Sequence, residues 1–288
     1  MKSIFLLLFL FPATLFSQVQ HFVDFYENKQ KRSEGDYVRG LEHGNWKFWY
    51  DSGKLQEEAS YYMGQFNGPV IRYYPNGQLQ HEGYFKLDRQ DSLMRSFTAD
   101  GQLLEEGSYI KDQKFGKWSY FSAEGDTMLE EIYSDSLVRT MHFTDLSGKV
   151  LITKGNGELP EYHSNDKLKS KTSYSKGLRN GAYQSWFSDG ALREEGSFLN
   201  HMKHGQWTTY NRDTSILSKA TYKEGNLDGP YFKKFLSGQT EVEGSYAMGK
   251  KTGDWVWYMD TGQIDMEGPF VDDLQEGEWA YYYTNGQI

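Results

Sequence analysis

A glycine, or a residue standing in for one, recurs every 24 positions along this chain: Gly44, Gly68, Ser92 and Gly116, then Gly157, Gly181, Gly205, Gly229, Gly253 and Gly277. A fixed period of this length means one supersecondary unit copied in tandem, each copy completed by its neighbours because it cannot bury its own apolar face. With the opening residue counted as offset 0, a second glycine follows at offset 9, in Gly53, Gly77, Gly101, Gly125, Gly190, Gly238, Gly262 and Gly286, with Lys29 and Thr214 as exceptions. Asn76, Asp100, Asp189 and Asn285 stand just before such glycines. Asn-Gly or Asp-Gly between alternating apolar runs signals a hairpin with a type I′ turn, whose two central residues both need positive φ. Each unit therefore reads as a β-hairpin, and residues whose offsets sum to 17 should face each other.

That register makes specific pairs. Offset 2 carries Trp46, Trp118, Trp207, Trp255 and Trp279, expected to lie over the small residue at offset 15 of the same hairpin, as Trp255 over Gly268. Offset 17 carries Tyr37, Tyr61, Tyr246 and Phe270 among others, expected to cover the opening glycine, as Phe270 over Gly253. Offset 6, with Tyr50 and Tyr74, should face offset 11, with Leu55 and Leu79. Segments such as Ser175 to Asn180 and Met248 to Thr252 read as short polar loops joining one hairpin to the next. The fold class expected is all-β: an elongated single-layer antiparallel meander of tandem 24-residue β-hairpins, on the order of 100 Å long for about eleven units at ~4.8 Å per strand.

The lattice starts early and breaks once. Projecting one step back from Gly44 reaches Gln20, and Phe22, Tyr26, Gly35 and Tyr37 are already in register there. Before it, an apolar run from Ile4 to Phe11 follows Lys2 and leads to Pro12 and Ser17, the layout of a secretory signal too short to span a membrane. The expected organisation is a signal peptide at 1–17, hairpin repeats at 18–138, a shortened irregular repeat at 139–156, and repeats continuing the array at 157–288. Export to the periplasm, cell surface or medium follows from the leader. The last hairpin stops just past its turn, which reads either as truncation at Ile288 or as an open edge.

Charge and cysteine content narrow the partners. The formal charge is −9, and loss of Lys2 with the leader leaves 30 basic against 40 acidic residues, so nucleic acid and anionic membrane are disfavoured, both needing a positive surface. With no cysteine there is no disulfide framework, thiolate metal site or cysteine nucleophile. No cofactor is expected.

From Gly253 the unit reads Gly-x-Trp-x-x-Tyr-x-x-x-Gly-x-Ile-x-x-Glu-Gly-x-Phe-x-x-x-x-x-x-Gly, and in this it resembles the MORN-type repeat, particularly its bacterial variant. The resemblance runs from about Gln20 to Ile288. It implies tandem β-hairpins forming an extended sheet and a non-catalytic scaffold or interaction role. It also implies an antitoxin-like branch for some bacterial members, and phospholipid binding for the wider family, against which the acidic charge of this chain argues.

No catalytic set emerges. Carboxylates recur with the repeat at offset 14, in Glu34, Glu58, Glu82, Glu106, Glu130, Glu195, Glu243 and Glu267, whereas glycosidic chemistry needs two carboxyls converging at one separation. His201 and His204 lie close in sequence without the further ligands zinc requires. The candidate binding face is the one turned away from the tryptophans. Offset 5 is aromatic there, in Trp49, Tyr73, Phe97, Phe121, Tyr162, Trp186, Tyr210, Tyr258 and Tyr282, with Thr144 and Lys234 departing, and it flanks Glu58, Glu82, Glu106, Glu195, Glu243 and Glu267. Two readings are open: a recognition surface, since rings offer contact area at low entropic cost, or apolar cover that a one-layer sheet needs on both sides. The expected function is a non-enzymatic exported scaffold binding a protein partner. The alternatives are a carbohydrate or cell-wall binding array and an immunity protein neutralising a toxin.

Overall fold

The computed structural model describes residues 18–287; the expected signal peptide at 1–17 lies outside them, as does Ile288. The described residues form 24 strands and no helix, in two compact units, one ending at Asp126 and the other beginning at Thr127. The first holds the nine strands from Val19–Phe25 to Gln113–Phe121, the second the fifteen from Thr127–Ser134 to Ala280–Tyr281. In each unit the strands run antiparallel in chain order, the single-layer meander that the repeat implies.

The expected register is present from offset 0 to offset 4: Gly44 faces Tyr61, Trp46 faces Ala59 and Phe48 faces Glu57. It then slips. Trp49 faces Leu55, and Tyr50 bonds through its N–H to the Lys54 carbonyl at 2.8 Å while accepting from Gly53 N–H at 2.9 Å. Offset 11 therefore pairs with offset 5 rather than offset 6. The three residues Asp51, Ser52 and Gly53 make the connection, and of these only Gly53 has positive φ, at 81°. This is a type I turn followed by a left-handed residue at a bulge, not the expected type I′ turn. Lys29, Thr214 and Asp166, at φ 67°, 66° and 61°, take the glycine position elsewhere.

The type I′ turns sit at the other end of the strands. Met63-Gly64, Leu87-Asp88, Lys111-Asp112, Lys176-Gly177 and Met248-Gly249 all have both φ values positive. The polar connections read from the sequence shrink to these two residues, with Leu178–Trp186 and Lys250–Tyr258 already strand. Where aspartate is the second turn residue it clamps the preceding hairpin. Asp88 donates its N–H to Phe66 O at 2.9 Å, and its carboxylate accepts from Phe66 N–H at 2.7 Å.

The opening glycine is explained by backbone conformation. Register slips recur where each hairpin meets the next, between Glu34 and Asp36, Ala59 and Tyr61, and Glu243 and Ser245. Gly44 and Gly253, beside these slips, adopt φ of 72° and 66°. A Cβ on either would meet no atom within 4 Å, so no ring covers them. The left-handed bulge, rather than the facing aromatic, selects glycine there.

The core lies along one face and is built between successive hairpins. Trp46, Trp118, Trp207 and Trp255 are at most 2% exposed, although the described residues put no second layer of strands over the sheet. Burying an indole of roughly 200 Å² at about 25 cal/mol per Å² stabilises by ~5 kcal/mol. The ring that covers Gly268 belongs to Trp279, while Trp255 covers Gly244, each indole lying on the preceding hairpin's glycine rather than on its own. A Cβ on Gly35, Gly107, Gly196 or Gly244 would come within 2.2–2.3 Å of the indole above it. The register skips each such glycine, and the carbonyl of the residue after it accepts the indole N–H. Trp46 donates to Asp36 O at 3.1 Å, Trp118 to Ser108 O at 3.0 Å, Trp207 to Ser197 O at 3.1 Å and Trp255 to Ser245 O at 3.1 Å. The offset-17 aromatic of the preceding unit meets each indole edge-on, with centroids 4.9 Å apart for Tyr37 and Trp46 and 5.0 Å for Tyr246 and Trp255. Lysines roof the rings, Lys203 Nζ lying 3.7 Å from the Trp207 centroid.

The interval that breaks the period contains Leu137–Thr144 and the four-residue strand Val150–Thr153. The short strand leaves the start of Leu137–Thr144 to reach past it. Thr140 N–H donates to Gly177 O at 2.9 Å, Gly155 N–H to Met141 O at 2.8 Å and Gly177 N–H to Gly155 O at 2.8 Å. A Cβ on Gly155 would lie 2.3 Å from Gly177 N, so this approach of backbone to backbone requires glycine.

Candidate functional site

Strand alternation turns offsets 3 and 14 away from the tryptophans. In register, Glu34 faces Lys47, which faces Glu58; Glu82 faces Arg95, which faces Glu106; Glu243 faces Val256, which faces Glu267. A row of glutamates thus runs along this face within each unit, separated by offset-3 side chains.

The aromatic residues at offset 5 flank that row, as the sequence indicates, but Tyr73, Tyr210, Tyr258 and Tyr282 reach the glutamate of the preceding hairpin. Tyr258 donates to Glu243 Oε1 at 2.6 Å, not to Glu267; Glu267 takes its bond from Tyr282 at 2.7 Å, and Glu195 from Tyr210 at 2.6 Å. The hydrogen bond to Glu243 is the chief reason the Tyr258 hydroxyl is pushed up to about 12, burial adding to it. Tyr210 and Tyr282 are raised first by their bonded glutamates. Tyr73 is raised first by burial and then by Glu58. Trp49, Phe97, Phe121 and Trp186 are half-buried rings with no hydroxyl to offer. Tyr162 is 61% exposed, because the strand before it is the short one at 150–153.

The glutamates fall into two kinds. In the first unit they are paired with cations: Lys47 with Glu58 at 2.7 Å, and Arg95 with Glu82 at 3.1 Å and with Glu106 at 3.2 Å. In the second, Glu195, Glu243 and Glu267 are held by tyrosine hydroxyls. The face is therefore a mixed surface of half-exposed rings and oriented acceptors, suited to holding a polar ligand by many weak contacts. Glu243 and Asp254 line one open cavity on it together with Lys219.

Tyrosines at offset 6 and asparagines at offset 8 fasten the turns, a role the sequence reading did not give them. Tyr26, Tyr50 and Tyr74 donate to the Trp49, Tyr73 and Phe97 carbonyls of the following hairpin at 2.7–2.8 Å. Asn28 and Asn76 donate likewise to Asp51 O at 2.7 Å and Ala99 O at 2.6 Å. The signal was there: tyrosine at offset 6 and asparagine at offset 8 recur with the period. His201, weighed as a metal ligand, is a turn residue at φ 71°. Its Nδ1 accepts from Arg179 N–H at 3.3 Å and its Nε2 contacts Val138 O at 3.1 Å. Among the described residues no three histidine, aspartate or glutamate side chains gather as a metal site.

These features define a repeat protein of tandem β-hairpins fastened to one another by indole, phenol and amide donors. Four stretches of it, residues 42–61, 66–87, 156–176 and 275–288, match the family model described as the MORN repeat variant. No curated protein matches the chain. Among solved structures, the crystal structure of TcdB2-TccC3 is similar at 10% identity over 92% of this chain and 18% of that one, with a TM-score of 0.15. The crystal structure of TcdB2-TccC3-TEV is similar at 11% identity over 90% and 18%, with a TM-score of 0.16. The chain spans less than a fifth of the length of either.

Proposed function

We propose that this protein is a non-enzymatic, exported repeat scaffold that binds a protein partner through the glutamate face. The observation carrying the reading is the series of Tyr–Glu pairs, Tyr210–Glu195, Tyr258–Glu243 and Tyr282–Glu267. A tyrosine that holds a carboxylate in place on a sheet surface prepares an acceptor without further loss of side-chain entropy, which is what a recognition surface needs. The tryptophan face is committed to joining hairpins and offers less. Carboxylates that repeat with the hairpins serve contact better than chemistry, and this supports a binding role over an enzymatic one. Export rests on the leader pattern at 1–17.

Crosslinked affinity capture of the full chain tests the binding role. One stoichiometric protein should be recovered, and recovery should fall when Trp49, Trp186 and Tyr258 are changed together to alanine. Retention on peptidoglycan, lost in the same variant, would replace the protein partner with a cell-wall glycan, and recovery of a toxin as the one partner would make the scaffold an immunity protein. Fractionation with amino-terminal sequencing tests export: the mature chain should begin at Gln18, and a full-length cytoplasmic product would refute it.

A further inference from the structure

The repeats supply their own template for a ligand. At Glu82–Arg95–Glu106 the two carboxylates of successive hairpins bracket a guanidinium, Nη1 at 3.1 Å from Glu82 and Nε at 3.2 Å from Glu106. The register at Glu243–Val256–Glu267 is the same, yet valine occupies the central place and no basic side chain pairs with either carboxylate. Of the nearby lysines, Lys233 pairs with Glu241 at 2.6 Å, Lys250 with Asp272 at 3.8 Å, and Lys251 lies over the Trp255 ring at 4.8 Å; Lys219 lines a cavity with Glu243 from the far side, across Phe232, and leaves the Val256 side of that carboxylate open. Tyrosine hydroxyls orient both carboxylates, Tyr258 on Glu243 and Tyr282 on Glu267. From Asn226 to Gln287 the chain carries 11 acidic and 4 basic residues, a field that draws cations to this stretch.

We infer that Glu243 and Glu267 form a bracket for an arginine side chain of the partner protein, presented by an extended segment lying over Val256. Arginine is favoured over lysine because its planar fork reaches two carboxylates at once, as Arg95 does, whereas an ammonium is a point charge. The half-buried Val256 supplies an apolar floor for the aliphatic stem. The inference rests on the protein-binding reading and names the chemistry of that partner.

The test uses the full mature chain and a fluorescein-labelled Ser-Arg-Ser-Arg-Ser peptide, with binding followed by anisotropy at low ionic strength. Glu243→Gln with Glu267→Gln should weaken binding about tenfold or more. Val256→Arg should do the same by filling the bracket from within, with the strand content by circular dichroism unchanged. Glu276→Gln with Glu278→Gln removes equal charge nearby and should leave affinity within about twofold if the bracket, not bulk charge, holds the peptide. Replacing the arginines of the peptide by lysine should weaken binding. The inference is overturned if the unmodified chain does not bind the peptide, if the Glu276 and Glu278 variant loses as much as the bracket variants, or if folded Val256→Arg binds undiminished. Retained capture of a partner alongside any of these results would reject the bracket and leave the scaffold standing; loss of capture with peptide binding intact would do the reverse.

Discussion

Gly244→Ala isolates what one inter-unit tryptophan contributes. Gly244 does not have positive φ, so alanine meets no backbone penalty there and the whole cost comes from the ring above. The new Cβ would stand 2.3 Å from Trp255 Cδ2 and 2.4 Å from Cε2, forcing the indole to lift. Overpacking alone costs about 1–3 kcal/mol. Lifting also weakens the N–H bond to Ser245 O, now 3.1 Å, and the edge-on contact with Tyr246, now 5.0 Å between centroids, each worth about 1 kcal/mol. The expected loss is about 3–4 kcal/mol, short of the ~5 kcal/mol for removing a buried indole outright. Gly253→Ala is the matched control: it has room, and its φ of 66° costs alanine only about 1–2 kcal/mol. Because a repeat array unfolds in neighbouring blocks, the readout is hydrogen exchange across Thr240–Ala247 and Lys250–Tyr258, with urea denaturation alongside. The chain contains its own rescue: Ala59 faces Val70 and Ala220 faces Tyr231 in the same relation. Trp255→Tyr added to Gly244→Ala should therefore recover about 1 kcal/mol or more relative to additivity. Equal costs for Gly244→Ala and Gly253→Ala, or no coupling with Trp255→Tyr, would refute the indole-on-glycine account.

Other outcomes follow from the same contacts. Glu243→Gln should return the Tyr258 hydroxyl from about 12 toward the ordinary tyrosine range, seen as earlier growth of tyrosinate absorbance on alkaline titration. The sign follows from a pKa raised by folding: the stabilisation is complete below pH ~10 and is lost as pH climbs through the folded value, so the native chain should loosen at alkaline rather than acid pH on this account. Tyr50→Phe removes the hydroxyl that donates to Tyr73 O at 2.7 Å and should cost about 1 kcal/mol, measured by urea denaturation with protection lost first at the adjoining turns. Asp88→Ala should free Phe66 N–H, now bonded at 2.7 Å, and cost about 1 kcal/mol, whereas Asp88→Gly, matching Gly64 and Gly249, should cost less because glycine accepts the φ of 64°.

The period, the antiparallel pairing and the two faces were legible because they rest on spacing alone. Sums of offsets placed Gly44 opposite Tyr61 and Trp46 opposite Ala59 correctly. The turn type was misplaced because Asn-Gly suits a type I′ turn and also a type I turn closed by a left-handed glycine; the choice depends on loop length, which the bulge at Phe48 and Trp49 changes by one residue. The partner of each large ring was off by one hairpin for a related reason. Facing Cα positions say nothing of which way a side chain leans, and the slip beside Gly44 tilts Trp46 onto Gly35. One clue was available: every tryptophan at offset 2 follows a hairpin with glycine at offset 15, whereas Val70 and Tyr231 follow alanine. For the candidate site, the row of rings beside carboxylates was readable, but not which glutamates own a cation. That depends on the offset-3 residue of the intervening strand, lysine at 47, arginine at 95 and valine at 256.

The indole that leans onto the hairpin before it gives the molecule a sense of growth. The receptor for Trp46, Trp207 and Trp255, a glycine followed by the carbonyl that takes the indole N–H, belongs to the part of the chain made earlier by the ribosome. A newly emerged hairpin thus finds its seat already built by the one before it. The two ends are unequal to trimming: cutting from the carboxyl end removes a ring together with the hairpin that bears it and uncovers a glycine, whereas cutting from the amino end strips an indole of its seat and leaves it facing water.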